Sequence, residues 1–495
     1  MLKKRIAELV PNYAALTNWM VFLWLSAISI FIRFPFFFRD YIDRDESTFI
    51  LMGQSWVDGH LPYTELWDLK PPITFLFFAG IIYVFGKSFL AIRLLGAVVV
   101  AASAFFSYKI GEAIGSKKIG FWAAVGAVAL QSMFGSIQGV MSEHLCMVFF
   151  MPALYLLIKV KNTFTYLAAG ILMGLAVMTK LNIAYAALFI GCYLIYYFFR
   201  RKEFYKGVLN IMLYGLAIII IFLLTLLPYY LQGKTGVWWN SVILASLEYA
   251  DARRNTIFNL APTFLIIATF FLLAWKKKFL DFKVSQIQLL TIAILGVLFS
   301  FAKAGRINSH YLIQLHPLLI IPVAIVVGKW AFFHIRNYSL YLFFLIMLLP
   351  AESYLEYYRI VKNKIERGTF YNGEGITVVE YLKKNHPLEK NLLFLGYHIG
   401  YWQLDATPPS MAATHPSNIC RNELFPYFDN PRNTAVEELQ YLMEEVRPKI
   451  VVIRKNRLIF DEKLIAENRY ISGYLKSHYK VMATVDQAEL YERLE

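Results

Sequence analysis

The sequence predicts a polytopic α-helical membrane protein that carries a small C-terminal α/β domain. Of its 495 residues, 58% are hydrophobic and 17% charged, where a soluble domain would hold about a quarter charged residues. Apolar runs of spanning length recur through the first 350 residues and stop near 353. Beyond that point charge and proline rise, and short strand-like pieces take over.

The apolar runs lie near 19–38, 88–113, 119–137, 143–160, 164–180, 183–199, 208–231, 258–275, 287–303, 311–329 and 338–352, eleven spans in all. The first follows a basic start, Lys3-Lys4-Arg5, and no small-residue cleavage site succeeds it, so an uncleaved signal-anchor helix is expected. The net charge of +15 gathers in short clusters between spans: Lys117-Lys118, Arg200-Arg201-Lys202 and Lys276-Lys277-Lys278. Cytoplasmic loops facing anionic lipid have this pattern, and no nucleic-acid partner is implied. Segment 72–86 is short for a crossing, and counting it as one would put every later basic cluster outside. It is read as a re-entrant or interfacial helix.

With the N-terminus inside, 39–87, 138–142, 180–182, 232–257, 304–310 and everything after 353 fall on the outer face. In the C-terminal part, residues 391–397, 448–456 and 479–484 read as strands, with an amphipathic helix over 434–445. Strands alternating with helices predict a small α/β domain over 353–495, after a membrane domain over 1–352. The three cysteines, Cys146, Cys192 and Cys420, suggest neither a disulfide framework nor a thiolate metal site.

The unusual polar residues concentrate on the outer face. Segment 39–87 holds Asp45-Glu46 and runs through Trp56, Tyr63 and Trp67 to Lys70-Pro71-Pro72. Carboxylates and a lysine beside lipid are costly and become default candidates for chemistry. The plain alternatives are Asp45 as a helix cap and Lys70 as a snorkelling cation before a proline-started helix. Asp58, Glu65 and Asp68 read as a solvated face. Glu143 and His144 open the 143–160 span, where an acid rarely faces lipid. Arg93, Lys180, His310, Tyr311 and Arg306 sit near span ends, and Arg253 lies in an outer loop. His310 and His316 lack the i, i+4 spacing of a metal pair. Acids and cations gathered at one face suit moving a group off a phosphate: a carboxylate as base, and cations for the departing anion.

In their order, Asp45-Glu46, Lys70-Pro71-Pro72, Arg93 in FLAIRLLGA, Ser142-Glu143, Lys180 in GLAVMTKLN and His310-Tyr311 in HYLIQLHPLL resemble the GT-C glycosyltransferases. The likeness is to the branch of bacterial aminoarabinose transferases (ArnT-like) and protein O-mannosyltransferases. It implies a polyprenyl-phosphate sugar donor and inverting transfer to a lipid, cell-envelope glycan or protein acceptor. Transfer would occur on the outer side of a bacterial inner membrane, with the N-terminus cytoplasmic and the C-terminal domain periplasmic. By the same likeness Asp45 is the general base, supported by Glu46 and Glu143. Lys70, Arg93, Lys180, His310 and Tyr311 are donor-phosphate contacts, and Arg253 and Arg306 are candidates for an acceptor or phosphate contact. Relatives commonly place an acid, associated with a divalent cation, before the lysine. Leu69 stands there in this chain beside Asp68, so a divalent cation stays open and no metal ligand is assigned. Two other readings remain: a lipid-linked sugar flippase or polysaccharide exporter, and a polymerase or ligase of lipid-linked glycans. A transporter favours ionisable groups near the midplane and matching halves, and this sequence has neither pattern.

Overall fold

A computed structural model describes residues 12–160, 162–252, 256–305, 307–330 and 338–494. The cluster Lys3-Lys4-Arg5, Arg253, Arg306 and most of the 329–337 loop lie outside these residues. Seven described helices are long and apolar enough to cross a membrane: Asn18–Phe38, Phe89–Ile114, Leu181–Arg201, Phe204–Leu231, Phe258–Lys276, Ser285–Ala304 and Ser309–Lys329. Three shorter apolar helices, Pro72–Phe85, Ser142–Ile158 and Phe164–Val177, accompany them. Where spans were expected near 119–137 and 338–352, the helices are Lys117–Leu130 and Tyr338–Leu348, of 14 and 11 residues. Length and composition alone therefore support seven crossings, and a count of eleven leans on the shorter helices as well.

The chain forms two compact units. The first gathers Met1–Phe34, Arg93–Thr225 and Arg253–Glu356. It is a bundle of apolar helices in which Ser142–Ile158 packs along Phe164–Val177, and Ser285–Ala304 packs along the helix Ala184–Arg201. Small residues permit the close approaches; a Cβ on Gly296 would meet the Ala186 Cα at 2.5 Å.

The second unit gathers Pro35–Ile92, Leu226–Ala252 and Tyr357–Glu495. It contains a four-stranded sheet in the order β1-β2-β4-β3. The strands are β1 (Leu392–Phe394), β2 (Ile450–Arg454), β3 (Tyr479–Val485) and β4 (Ala488–Arg493). The β1 and β2 pairing is parallel, and β4 runs antiparallel to both β2 and β3. β1 to β3 coincide with the expected strands, whereas β4 was not foreseen. Its sequence AELYER is rich in charge, yet Ala488 and Leu490 point inward and are fully buried. This alternation is what a strand with one covered face requires.

Segment 39–87 belongs to the same unit. It forms helix Arg44–Val57, an irregular turn, and helix Pro72–Phe85. Pro72 sits in the first turn of its helix, where a missing N–H costs nothing. At 14 residues the helix is about 21 Å long, short of the roughly 30 Å hydrocarbon core. The two helices pack closely because Gly53 has no side chain: a Cβ there would lie 2.8 Å from the Phe78 Cβ and 2.9 Å from the Ala79 nitrogen. C-terminal residues fasten the segment at its end and on helix Arg44–Val57. Lys87 pairs with Asp405 and donates to the Trp402 carbonyl, while the Trp402 indole donates to Gln54.

Candidate active site

The position of Asp45 is set by its neighbour Asp43. Asp43 has an extended backbone and caps the Arg44–Val57 helix, accepting the Asp45 N–H at 2.8 Å. The cap is therefore Asp43 and not Asp45, because the helix begins three residues before Ser47. The Asp45 carboxylate is left to act elsewhere, and its Oδ2 lies 3.4 Å from the Lys70 ammonium. Glu46, the next residue, is buried.

Lys70 is held by the turn before it. Tyr63 adopts φ +70°, an uncommon conformation for so bulky a residue, and its hydroxyl donates to the Lys70 carbonyl at 2.5 Å. Trp67 is fully buried, donates its indole N–H to Ser241 at 2.9 Å and packs on Phe428. Asp68 is buried rather than solvated. Its Oδ1 accepts the Lys70 N–H at 3.1 Å and lies 3.7 Å from the Lys70 ammonium, so the local turn folds it under the lysine. Asp58 and Glu65 are the more accessible acids of the segment, engaged by Gln54 and by Ser55.

A histidine from the C-terminal region completes the cluster. His415 is buried, and its Nε2 lies 3.4 Å from Asp45 Oδ1. Its Nδ1 accepts the Ser417 N–H at 3.1 Å, so the neutral ring carries its proton on Nε2 and donates it to Asp45. Burial lowers the His415 pKa, and the hydrogen bond to Asp45 partly offsets this. His398 lies 5.8 Å from His415, ring to ring, with its Nε2 3.0 Å from the Thr48 hydroxyl. Burial holds His398 well below the usual histidine range. Asp45 thus has one oxygen toward a cation and the other toward a neutral N–H donor. His415 is far from Asp45 along the chain, and no motif around it marks it for this role.

The first unit holds a second cluster. Glu143, fully buried in the first turn of helix Ser142–Ile158, pairs with Lys180 at 2.6 Å. Ser142 donates to its other oxygen at 3.1 Å, and His310 Nε2 lies 3.8 Å away. The Lys180 ammonium stands over the Tyr311 ring, 5.0 Å from its centre, and His310 packs edge-on against that ring. The structure therefore brings Glu143, Lys180, His310 and Tyr311 together. Arg93 is buried near the start of its helix. Arg33, which no sequence motif marks, is buried and donates to the carbonyls of Gln131, Ile137, Gln138 and Gly139 at 2.7–3.2 Å. It fixes the loop that delivers Glu143. Among the described residues, no group of three or more histidine, cysteine or carboxylate side chains is arranged to hold a metal ion.

A family model for dolichyl-phosphate-mannose-protein mannosyltransferases matches residues 69–229. No curated protein sequence matches the chain. Among solved structures, ArnT from Cupriavidus metallidurans bound to undecaprenyl phosphate superposes with a TM-score of 0.59 at 12% identity, covering 97% of this chain and 99% of that one. Its apo form gives 0.61 at 11% identity, over 96% and 97%. The archaeal oligosaccharyltransferase AglB from Archaeoglobus fulgidus, in complex with an inhibitory peptide and a dolichol-phosphate, gives 0.54 at 11% identity, over 98% of this chain and 75% of its own. Over nearly its whole length the chain thus has the fold seen in ArnT, and over residues 69–229 its sequence is similar to the protein mannosyltransferase family.

Proposed function

We propose that the chain is a multi-pass membrane glycosyltransferase that moves a sugar from a polyprenyl-phosphate donor to a lipid, cell-envelope glycan or protein acceptor. The observation that carries this reading is the partly exposed Asp45, with Lys70 Nζ 3.4 Å from one carboxylate oxygen and His415 Nε2 3.4 Å from the other. The fold shared with an ArnT bound to undecaprenyl phosphate supports a lipid-linked donor.

In the proposed reaction the acceptor hydroxyl gives its proton to Asp45 as its oxygen bonds to the anomeric carbon. Attack comes from the face opposite the phosphate, so the configuration inverts. The bond from the anomeric carbon to the phosphate oxygen breaks, and polyprenyl phosphate leaves with the electron pair. Lys70 meets the charge that grows on the departing phosphate; a compact ammonium suits that task. His415, donating to the second oxygen of Asp45, holds the carboxylate in orientation. Glu46 supports the site, and the first-unit residues Glu143, Arg93, Lys180, His310 and Tyr311 carry over as candidates by the resemblance alone. Arg253 and Arg306 remain candidates for an acceptor or phosphate contact. No step is routed through a metal ion. The reaction takes place on the outer side of a bacterial inner membrane, with the N-terminus cytoplasmic and residues 353–495 forming an extracytoplasmic domain.

The test is incubation of the purified protein with a panel of polyprenyl-phosphate sugars and candidate acceptors. Acceptor-dependent release of polyprenyl phosphate from at least one donor is expected. Release from none of the panel would count against a lipid-linked donor.

A further inference from the structure

The second unit contains a polar cavity of about 420 Å³ that the transfer chemistry does not use. Its walls come from the segment after the first span, the start of helix Glu374–Asn385, the end of β2 and the β3–β4 turn. Five cationic side chains face three carboxylates there. Two of the carboxylates are already engaged. Asp40 is buried and accepts the Gly375 N–H, and Asp486 is bound by Arg367 at 3.3 Å and Thr377 at 3.0 Å. Burial also pushes the Asp40 pKa up to about 7, so much of its negative charge is gone at neutral pH. The cavity is therefore electropositive.

Arg454 is the central group. Its guanidinium lies beside a pair of edge-on rings, 5.3 Å from the centre of Tyr41 and 5.4 Å from that of Tyr397, whose own centres are 5.9 Å apart. Its Nε is buried and has no acceptor among the described residues. An unmet guanidinium N–H is costly in a site removed from water. Tyr397 is held at φ +58°, unfavourable for a bulky residue, and its hydroxyl donates to the Gln487 carbonyl at 3.4 Å. Strain is thus spent on keeping a ring against a guanidinium that has no carboxylate partner among the described residues. Lys455 and Arg457, one and three residues on, line the same space and form no ion pair among the described residues.

We propose that this cavity is a binding site for a phosphate-bearing ligand, with Arg454 as its forked donor and Lys455 and Arg457 as flanking cations. A planar guanidinium fixed by aromatic rings suits bidentate contact with phosphate oxygens. The volume falls within the range of small-molecule sites. The phosphate could belong to a soluble sugar phosphate or to a lipid headgroup.

Full-length protein in neutral detergent would be titrated calorimetrically with glucose 1-phosphate, with glucose as the uncharged control. A parallel titration would use nanodiscs of phosphatidylcholine with and without phosphatidate. Saturable binding of glucose 1-phosphate but not glucose is expected for a soluble ligand, and competition by phosphatidate nanodiscs for a headgroup. Either result supports the site if Arg454→Gln weakens binding by about tenfold or more and Arg454→Lys restores it only in part. Arg457→Gln, at an exposed position, gives a second variant should Arg454→Gln fail to fold. Absence of binding to both probes, or binding indifferent to both substitutions, would overturn the proposal. Lys70→Ala, which is expected to weaken donor binding, should leave probe binding unchanged; a matching loss of probe binding would place the probe at the donor-phosphate contact and overturn the proposal.

Discussion

The two acid–lysine pairs of this molecule are alike in composition and opposite in setting. In the Asp45–Lys70 pair the side chains are 24% and 15% exposed and stand 3.4 Å apart. In the Glu143–Lys180 pair they are 0% and 9% exposed and stand 2.6 Å apart. A loose, partly wet pair can exchange its partner for a substrate at little cost. A tight, dry pair has already met its desolvation penalty through mutual contact, and separating it is expensive. The first pair is built to be interrupted and the second to persist. Under the proposed function, the difference favours Asp45 and Lys70 for the chemistry, while the Glu143–Lys180 pair holds Tyr311 and His310 around it.

Breaking the buried pair should have the largest effect on stability. Glu143→Ala leaves the Lys180 charge uncompensated and is expected to cost about 3–5 kcal/mol, read as a lowered melting temperature in detergent. Asp45→Asn should change it by no more than about 0.5 kcal/mol. Equal losses from the two substitutions would erase the distinction. Next, Gly53→Ala forces a methyl group against Phe78 and the backbone of Ala79, and about 1–3 kcal/mol of destabilisation is expected. Because that packing supports Arg44–Val57, turnover should fall with it. Lys70→Ala is expected to raise the donor KM about tenfold, equivalent to about 1.4 kcal/mol, while the acceptor KM changes little. The reverse pattern would move Lys70 to the acceptor side.

The smallest effect concerns pH. His415 and His398 are buried neutral, with pKa values below those of the unfolded chain. The unfolded state therefore binds more protons once the pH drops below about 6.5, and stability falls as the pH falls. Each histidine contributes at most about 1.4 kcal/mol per pH unit in that window. His415→Gln should flatten this acid limb of the melting curve. It should also lower turnover, since the amide cannot reproduce the ring's hold on both Asp45 and the Ser417 N–H.

What could be read from the sequence followed the local character of each signal. The apolar spans, the Pro72 helix start and the Asp45–Lys70 segment are written in contiguous residues, and the structure brings the two side chains together. Asp68 reads as solvated because acidity suggests exposure, whereas an Asx turn buries it beneath Lys70. Asp45 could be taken for a cap because Asp43 stands two residues earlier with the same side chain, and only backbone geometry separates them. β4 was hidden by its charges and is fixed by pairing with β2 and β3. His415 was invisible for a different reason. Its proximity to Asp45 arises from packing of the C-terminal region on segment 39–87, and no local pattern encodes that approach.

The central claim is that Asp45 takes the acceptor proton while Lys70 meets the leaving phosphate. The direct measurement is the turnover of polyprenyl-phosphate sugar by wild-type protein and by Asp45→Asn, at saturating donor and with equal melting temperatures verified. A fall of about 10²–10⁴-fold in kcat, with donor binding retained, is the expected result. Turnover within a few-fold of wild type would contradict the account.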